Sequence, residues 1–346
     1  MSTLDKLKVA CVGAGYFSQF HYESWARMPR VDLVASCNRD LQKARETGLP
    51  AYSDLAEMIT THQPDLLDII LPPVTHAKTI QTALALGIKR IICQKPFCND
   101  LNEARQIVSE VETAGATVIV HENFRFQPWY RTIKSALDAG RIGTFQQATF
   151  RLRSGDGQGP EAYLDRQPYF QKMERFLIHE TAVHWVDTFR FLLGEPQAVY
   201  ADLRQINPVI SGEDAGYIIF DMPNGKRAMF DGNRHLDHNA DNLRRTMGEA
   251  LIEGTDGTLS LYGDGRVTFR AFGTLAEIQL LAASTWQGFG GDCVHALQNH
   301  VVSGFLDATP LENDAADYLK VIEIEEAIYR SAETEKKIGV ENSCPN

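Results

Sequence analysis

Residues 9–21 read VACVGAGYFSQFH, and this stretch decides the fold. Four apolar residues lead directly into Gly13-Ala14-Gly15, and a helix-like segment follows. Glycines at such a place let a strand turn sharply into a helix, whose N-terminal amides can hold a dinucleotide pyrophosphate. Ser18 stands where a third glycine is typical and is small enough for close packing. The stretch predicts the first strand, turn and helix of a nucleotide-binding βαβ unit, with a plain tight turn as the alternative.

The same texture continues to about residue 120. Short apolar runs alternate with amphipathic segments, and the runs read KVACVGAG, VDLVASCN, DLLDIILPP, KRIICQKP and ATVIVHEN. Their hydrophobicity is continuous, which fits strands covered on both faces of a parallel sheet. We therefore predict an α/β fold that begins with a doubly wound Rossmann domain over residues 1–125.

Near Arg125 the pattern changes. A helical segment at residues 128–139 is followed by runs with period-two alternation: TFQQATFRLR, AVYADLRQI, AGYIIFDM, KRAMFDGNRH, EALIEGT and RVTFRAF. Such alternation predicts strands with one exposed face. We expect residues 126–346 to form an α/β domain with a large, open, mostly antiparallel sheet, interrupted by a helix at 175–193 and closed by helices from about 290 to 330.

Composition narrows the function. A chain of 346 residues is expected to form two domains, and its net charge of −11 argues against a nucleic-acid surface. No apolar run approaches the roughly 18 residues of a membrane span, and no signal-peptide segment is evident, so we expect a cytoplasmic protein. The six cysteines form no CxxC motif and are interpreted as buried, reduced thiols. They are Cys11, Cys37, Cys93, Cys98, Cys293 and Cys344.

The end of the second strand, SCNRD, bears on the nucleotide. An acidic side chain usually binds the adenosine ribose there, but Asn38 occupies the place. Asparagine can bond a ribose hydroxyl without repelling a phosphate, and Arg39 could pair with a 2′-phosphate or simply be a solvated charge. The sequence leaves NAD, NADP or both open.

Two further segments carry candidate catalytic groups. IICQKPFC places Lys95 at the carboxyl end of the fifth strand, where it could donate to a substrate hydroxyl, although a solvated lysine is the plainer interpretation. The segment HETAVH (179–184) resembles a zinc helix, but its histidines are five residues apart. On a regular helix they point roughly 140° apart, so no metal site is predicted. Glu180, His184 and Asp187 share one helical face instead, which suits proton transfer.

The segment RSGDGQGPEAYLDRQPYF (153–170) is long, polar and rich in glycine, and it carries aromatic residues. Sugars need dense hydrogen bonding and a flat apolar face, so a carbohydrate-binding loop that includes Tyr163 is favoured over an ordinary surface loop.

These motifs together resemble the glucose-fructose oxidoreductase, inositol dehydrogenase and MocA (Gfo/Idh/MocA) family of NAD(P)-dependent oxidoreductases, over nearly the whole chain. LPPVTH, QKP and ENFRFQP resemble the family's Thr-Pro-Asn-plus-His, Glu-Lys-Pro and Asn-Arg-Arg-Phe-x-Pro segments, and ETAVHWVD falls on its Asp-x-Gly-x-His-x-x-Asp. Three residues depart from the pattern: Gln94 replaces a glutamate, Glu180 an aspartate and Ala182 a glycine.

The residues and the resemblance predict three groups of site residues. Lys95, His184 and Glu180 are the expected catalytic residues. Cofactor contacts are expected from Gly13, Gly15, Tyr16, Phe17, Asn38, Arg39, Pro72, His76, Gln94, Lys95 and Asn123. Substrate contacts are expected from Lys95, Arg125, Tyr163, His179, Glu180, His184 and Asp187.

The resemblance implies a dehydrogenase that oxidises an aldose, such as D-apiose, or a polyol to a lactone or keto-sugar. The open sheet implies a homodimer or homotetramer. Three alternatives remain: a redox-neutral enzyme that cleaves glycosides with transiently used NAD, a non-catalytic sugar sensor, and a metal-dependent hydrolase.

Overall fold

A computed structural model describes residues 6–340. By its internal contacts the described chain divides into two compact units, residues 6–123 with 294–320, and residues 124–293 with 321–340. The sequence pattern placed everything after residue 125 in the second domain, whereas residues 294–320 group with the first unit.

The first unit contains a parallel sheet of six strands. They are β1 (Leu7–Val12), β2 (Val31–Cys37), β3 (Ala51–Tyr52), β4 (Leu66–Ile69), β5 (Arg90–Gln94) and β6 (Thr117–His121). Their order is β3-β2-β1-β4-β5-β6, and every neighbouring pair is parallel. This confirms the predicted Rossmann fold. Because the order reverses between β1 and β4, ligands of such sheets bind beyond the carboxyl ends of these strands.

The α-helices, in chain order, are α1 (Ser18–Ala26), α2 (Leu41–Arg45), α3 (Leu55–His62), α4 (His76–Ala85), α5 (Leu101–Thr113), α6 (Pro128–Asp138), α7 (Val183–Leu193), α8 (Cys293–Asp307) and α9 (Ala315–Thr334). Asp40, Asp54 and Asp100 begin α2, α3 and α5, and each accepts a hydrogen bond from a first-turn amide. Each such cap stabilises its helix by about 1 kcal/mol. None of the helices between residues 6 and 340 is long and apolar enough to cross a bilayer.

The second unit contains a sheet of nine strands. They are β7 (Phe145–Leu152), β8 (Ala198–Arg204), β9 (Ala215–Asp221), β10 (Arg227–Asn233), β11 (Gly248–Gly254), β12 (Gly257–Leu261), β13 (Val267–Ala271), β14 (Glu277–Leu281) and β15 (Ile338–Gly339). The order is β14-β13-β12-β11-β7-β10-β9-β8-β15, and only β7 and β10 pair in parallel. The predicted mostly antiparallel sheet is confirmed.

One face of this sheet packs on α7. Trp185 is fully buried, with its ring 4.2 Å from that of Phe150 on β7 and 5.5 Å from that of Phe230 on β10. Three aromatic rings in contact bury a large apolar area, which stabilises the position of α7 against the sheet. The residue before Trp185 is His184, so this packing also fixes where the candidate catalytic histidine lies.

The helix expected at 175–193 is not regular. Residues Leu177–Ala182 form a π-helix, in which the Val183 amide donates to the carbonyl of Ile178 five residues earlier, and α7 follows. The angle of roughly 140° between His179 and His184 holds for a regular α-helix, so it does not describe these two residues in this segment. π-Turns occur often at functional sites.

The described cysteines, at positions 11, 37, 93, 98 and 293, are buried thiols that form no disulfide with one another. Burial raises the pKa of the Cys11 and Cys93 thiols well above the usual value, so both stay protonated. Cys344 lies outside the described residues.

Candidate active site

The glycine turn between β1 and α1 has two different glycines. Gly13 has φ +114°, and a Cβ there would overlap the carbonyl oxygen of Ile70. Gly15 is exposed, and a Cβ there would meet no atom within 4 Å. Packing within the chain therefore requires glycine at position 13. At position 15 the missing side chain leaves the backbone open to a ligand.

The start of α1 is also open. Phe17 stands at the N-cap and provides no capping side chain, in contrast to the aspartates that begin α2, α3 and α5. Next to it, Tyr16 is 43% exposed. Uncapped amides at a helix N-terminus attract anions, because they add hydrogen-bond donors to the positive end of the helix dipole. This end of the sheet fits a dinucleotide pyrophosphate.

Asn38 and Arg39 follow β2 at the same edge. The amide oxygen of Asn38 accepts from the Ala14 N–H at 3.3 Å, and its nitrogen donates to the Asp40 carbonyl at 3.0 Å. Asn38 thus braces the glycine turn from the neighbouring strand. The Arg39 side chain is exposed.

Pro72 and His76, from the segment after β4, lie in different surroundings. Pro72 is exposed, while His76 is fully buried. The ring nitrogens of His76 lie 2.7 Å from the Leu71 carbonyl oxygen and 3.1 Å from that of Phe97, and burial lowers its pKa. His76 therefore joins the chain segments that follow β4 and β5, which argues for a structural role rather than the predicted cofactor contact.

Lys95 follows β5 directly and is partly exposed. Its backbone N–H donates to the side-chain oxygen of Gln94 at 3.1 Å. Gln94 and Asn123 are buried, at 7% and 2% exposure. Of these three predicted cofactor residues, Lys95 is the one whose side chain reaches the surface of the first unit.

In the second unit, Glu180 is held by two neighbours. The Thr181 hydroxyl donates to Glu180 Oε2 at 2.6 Å, and the same hydroxyl accepts from Arg234 Nη1 at 2.6 Å. Arg234 Nη1 is itself 3.7 Å from Glu180 Oε2. The π-helix therefore presents Glu180 with one carboxyl oxygen hydrogen-bonded to Thr181 and close to a buried cation.

Arg234 also fixes the Gly-rich segment. It is 2% exposed, and its Nη2 donates to Asp156 Oδ2 at 2.9 Å. Burial alone would raise the pKa of Asp156, but Arg234 overrides this effect and lowers that pKa to about 2. Ser154 and Arg166 donate to the same carboxylate.

Tyr163 is placed differently from the expectation. It is 3% exposed and packs with Phe170, Phe176 and Ile210, while its hydroxyl donates to Asp156 at 3.2 Å. This packing argues for a structural role for Tyr163 rather than the predicted substrate contact, because both its ring and its hydroxyl are already engaged within the chain.

His184 lies flat against Phe124. The two ring centroids are 3.8 Å apart, with an interplanar angle of 2°, and His184 is 7% exposed. Phe124 is fixed in turn by Trp185, whose ring meets it edge-on at 5.2 Å. A stacked ring has little rotational freedom, so the imidazole of His184 is held in one plane.

The Arg125 and Asp187 pair is bidentate. Arg125 Nε donates to Asp187 Oδ2 at 2.8 Å, and Nη2 donates to Oδ1 at 2.5 Å. Both residues are buried. Because each satisfies the charge of the other, this pair joins the segment before α6 to α7, and it argues against the separate substrate contacts expected of the two residues.

His179 is turned toward α9. Its Nδ1 lies 2.6 Å from Glu325 Oε1, and its backbone N–H donates to the Tyr329 hydroxyl at 3.3 Å. Between residues 6 and 340, no group of three His, Cys, Asp or Glu side chains has a geometry that could hold a metal ion.

Sequence reasoning missed Phe124, Asp156, Thr181 and Arg234. Each acts through a contact with a residue distant in the chain or through a stacked ring, so no local pattern marks it. A weak signal was present for Asp156, which stands between two glycines in GDG within the segment singled out above.

Comparison with known proteins identifies the family. The model described as "Oxidoreductase family, NAD-binding Rossmann fold" matches residues 7–122, and that of the "GFO/IDH/MocA C-terminal domain" matches residues 130–260. The chain belongs to the GFO/IDH/MocA family. It is therefore an NAD-dependent oxidoreductase, and the family resemblance inferred from the motifs is confirmed.

Several members of the GFO/IDH/MocA family are similar over almost the whole chain. A D-apiose dehydrogenase of Paraburkholderia graminis is 30% identical, covering 96% of this chain and 89% of that protein. One of Rhizobium rhizogenes is 29% identical, covering 97% and 98%. The crystal structure of an oxidoreductase from Agrobacterium radiobacter with NAD+, L-tartaric acid and magnesium superposes with a TM-score of 0.88 at 27% identity, covering 97% and 98%.

Proposed function

We propose that this protein is a sugar dehydrogenase that oxidises a hydroxyl of an aldose or polyol, with D-apiose as the first candidate substrate. The observation that carries the proposal is the full-length similarity to two D-apiose dehydrogenases, at 30% and 29% identity. The substrate class is further supported by a carboxylate and an imidazole on consecutive turns of one helical segment, Glu180 and His184.

The proposed chemistry is removal of a hydride and a proton from one C–OH group. The hydride leaves the carbon with both electrons of the broken C–H bond, and bound NAD would supply its acceptor. His184 takes the hydroxyl proton as a general base, and the C–O bond becomes C=O. Lys95 is the candidate donor of a hydrogen bond to a substrate hydroxyl, which would favour loss of its proton.

Glu180 is proposed to hold charge beside His184. When the imidazole takes up a proton it becomes a cation, and a carboxylate on the same helical segment favours that state. Thr181 and Arg234 keep Glu180 oriented for this role through the hydrogen bonds described above.

Nucleotide preference and oligomeric state are part of the proposal. We propose NAD as the main cofactor. NADP is tested beside it because Arg39, next to Asn38 at the ribose edge of the Rossmann sheet, is exposed and could pair with a 2′-phosphate. We propose a homodimer or homotetramer, supported by the apolar side chains on the open face of the nine-stranded sheet, and a cytoplasmic location, supported by the buried free thiols.

The test is a panel of aldoses, polyols and glycosides that includes D-apiose, each with NAD and with NADP, with absorbance of reduced nicotinamide as the readout. Accumulation of NADH with one sugar supports a dehydrogenase and identifies its substrate. A protein that binds the nucleotide but forms no reduced nicotinamide with any sugar contradicts the proposal. That result favours a redox-neutral enzyme with transiently used NAD, or a sugar sensor.

A further inference from the structure

Behind Lys95, the first unit contains a cluster of polar side chains from five different elements. His21 and Trp25 come from α1, Asp68 from β4, Gln94 from β5, His121 from β6 and Gln298 from α8. All six are buried, with exposures between 0% and 7%. Buried polar groups are costly unless they are hydrogen-bonded, so the order of donors and acceptors in this cluster is constrained.

Asp68 sets the tautomer of His21. The Oδ2 atom of Asp68 accepts from Trp25 Nε1 at 2.7 Å and lies 2.8 Å from His21 Nδ1. Gln298 Nε2 lies 3.4 Å from the same oxygen and 3.2 Å from His21 Nδ1, so the shorter contact with Asp68 decides the place of the ring hydrogen. A carboxylate oxygen can only accept from the ring. The hydrogen of neutral His21 is therefore on Nδ1, and Nε2 presents its lone pair as an acceptor.

Gln94 uses its amide in one orientation only. Its Nε2 donates to His21 Nε2 at 2.7 Å and lies 3.4 Å from His121 Nδ1. Its Oε1 accepts from the Lys95 backbone N–H at 3.1 Å. A flipped amide would turn its oxygen toward the His21 lone pair and its N–H groups toward the Lys95 N–H. The His21 tautomer thus fixes Gln94, and Gln94 fixes the peptide group that begins Lys95.

A carboxylate at position 94 would not fit the same cluster. It has the size of the amide but no hydrogen to donate, so one of its oxygens would face the lone pair of His21 Nε2. The mismatch disappears when a proton lies between that oxygen and the ring. Gln94, where the family resemblance has glutamate, therefore matches a His21 ring that presents a lone pair on Nε2.

Two thiols, a tyrosine and a second imidazole surround the pair. Cys11 of β1 and Cys93 of β5 adjoin Asp68, and burial raises the pKa of both thiols. Burial also raises the pKa of Tyr22 on α1. His121 faces from β6, with its ring centroid 4.2 Å from that of His21. If kcat depends on pH in a variant with a carboxylate at position 94 and not in the native chain, the dependence therefore reports on proton exchange between that carboxylate and the two imidazoles.

We propose that Gln94 is a positioning residue, which the Asp68 and His21 pair holds in one orientation so that Lys95 is aimed at the reacting oxygen. The role of Lys95 rests on the proposed function, while the hydrogen-bond order of the cluster does not. Misplacement of a catalytic group by about 1 Å can lower turnover by about 10²-fold.

The kinetic test compares Gln94→Glu with the native chain between pH 6 and 9. We expect kcat to fall by about 10²-fold at pH 8 and to recover toward the native value as the pH falls, with an unchanged Kd for NADH. Gln94→Met removes the amide without adding charge, so its loss of kcat should be independent of pH. Native kcat in Gln94→Met, or a Gln94→Glu defect with no pH dependence, would overturn the proposal.

A matched control is Gln106→Glu, which adds the same charge on the exposed face of α5 and should leave kcat unchanged. If Gln94→Glu does not fold, Gln94→Met alone tests the proposal. A lower kcat with a native Kd for NADH supports it, and a native kcat overturns it.

A second readout is independent of turnover. Long-range proton–nitrogen NMR spectra of the histidine-labelled native protein should show His21 protonated at Nδ1 and His121 protonated at Nε2. In Gln94→Glu, a second proton should appear on the ring of His21 as the pH falls from 8 to 6, over the range in which kcat recovers. The opposite tautomer of His21 would overturn the cluster assignment. A native protein that shows the expected tautomers yet oxidises no sugar contradicts the proposed function and leaves the cluster assignment supported.

Discussion

At the scale of single residues, His184 is the group on which the proposed chemistry depends. Its imidazole is stacked on Phe124 and 7% exposed, so it is held in one plane with a small part of its surface accessible. We expect His184→Ala to lower kcat by about 10²- to 10⁴-fold, because the hydroxyl proton then has no positioned acceptor. Initial rates of NADH formation with the sugar identified by the panel measure this.

The control for this variant is His62→Ala on α3, a partly exposed histidine that bonds Tyr52. It should keep native kcat. Native turnover in His184→Ala would remove His184 from the mechanism.

Asp156 offers a second prediction for a single residue, on stability. Arg234 is buried beside it at 2.9 Å, so Asp156→Asn leaves a buried cation without its nearest counter-charge, with Glu180 3.7 Å away. We expect this change to lower the free energy of unfolding by about 3 kcal/mol at pH 7. The pKa of Asp156 is lowered from 3.8 to about 2 in the folded chain. Its contribution is therefore present above about pH 4 and is lost as the pH falls from about 4 to about 2.

Urea unfolding at several pH values tests this. The difference between the native chain and Asp156→Asn should be constant from pH 7 to 5 and should narrow below pH 4. Asp241→Asn is the control, because Asp241 pairs with Arg245 at the surface and its loss should change stability little. A difference that persists undiminished at the lowest pH would contradict the assignment.

At the scale of elements, the turn between β1 and α1 separates folding from binding. In Gly13→Ala the new Cβ would overlap the Ile70 carbonyl and require a strained φ of +114°, so we expect a large loss of thermal stability. In Gly15→Ala the new Cβ meets no protein atom within 4 Å, so the melting temperature should stay native. The Kd for NADH should rise about tenfold, because the backbone can no longer approach the pyrophosphate.

Differential scanning fluorimetry and NADH titration of both variants check this pair. Native nucleotide affinity in Gly15→Ala would show that the turn does not contact the cofactor.

The elements that the sequence predicted correctly are those with a local signature. The continuous apolar runs of β1, β2, β4, β5 and β6 mark buried parallel strands, and period-two alternation marks β7 to β11 and β13. The π-turn at Leu177–Ala182 has no such signature, because it depends on a backbone bond from Val183 to Ile178 and on packing against Arg234. Because of that turn, the angle expected for a regular α-helix does not describe His179 and His184.

The candidate site was predictable in the same uneven way. Gly13 and Lys95 lie at strand ends, where position in the sheet predicts contact with a ligand. Tyr163 and Arg125 carry side chains that suit a sugar, but their commitments to Asp156 and Asp187 are tertiary contacts that a sequence does not display. The residue types indicate which hydrogen bonds Tyr163 and Arg125 can form. The fold determines that their partners in this structure are Asp156 and Asp187.

At the scale of the whole molecule, the open face of the nine-stranded sheet carries a mostly apolar row. Tyr200, Ile219, Met229, Thr149 and Leu251 stand in register on five neighbouring strands, from β8 through β9, β10 and β7 to β11. Three of them, Tyr200, Ile219 and Leu251, are 40%, 37% and 39% exposed. A row of this length on an exposed face is typical of an interface, and a second copy of the chain is the proposed occupant.

We therefore expect Ile219→Glu to convert the proposed homodimer or homotetramer to a smaller species, because the interface would bury an unpaired carboxylate in the middle of the apolar row. Light scattering after size-exclusion chromatography measures the mass against the 38.7 kDa of one chain. Leu86→Glu is the matched control, since Leu86 is 39% exposed and belongs to the first unit. It should leave the mass unchanged. A native protein that elutes as a monomer would rule out this interface, because there would be no assembly to disrupt. An Ile219→Glu variant that keeps a native oligomeric mass would also rule it out, because the interface would then tolerate a buried, unpaired carboxylate.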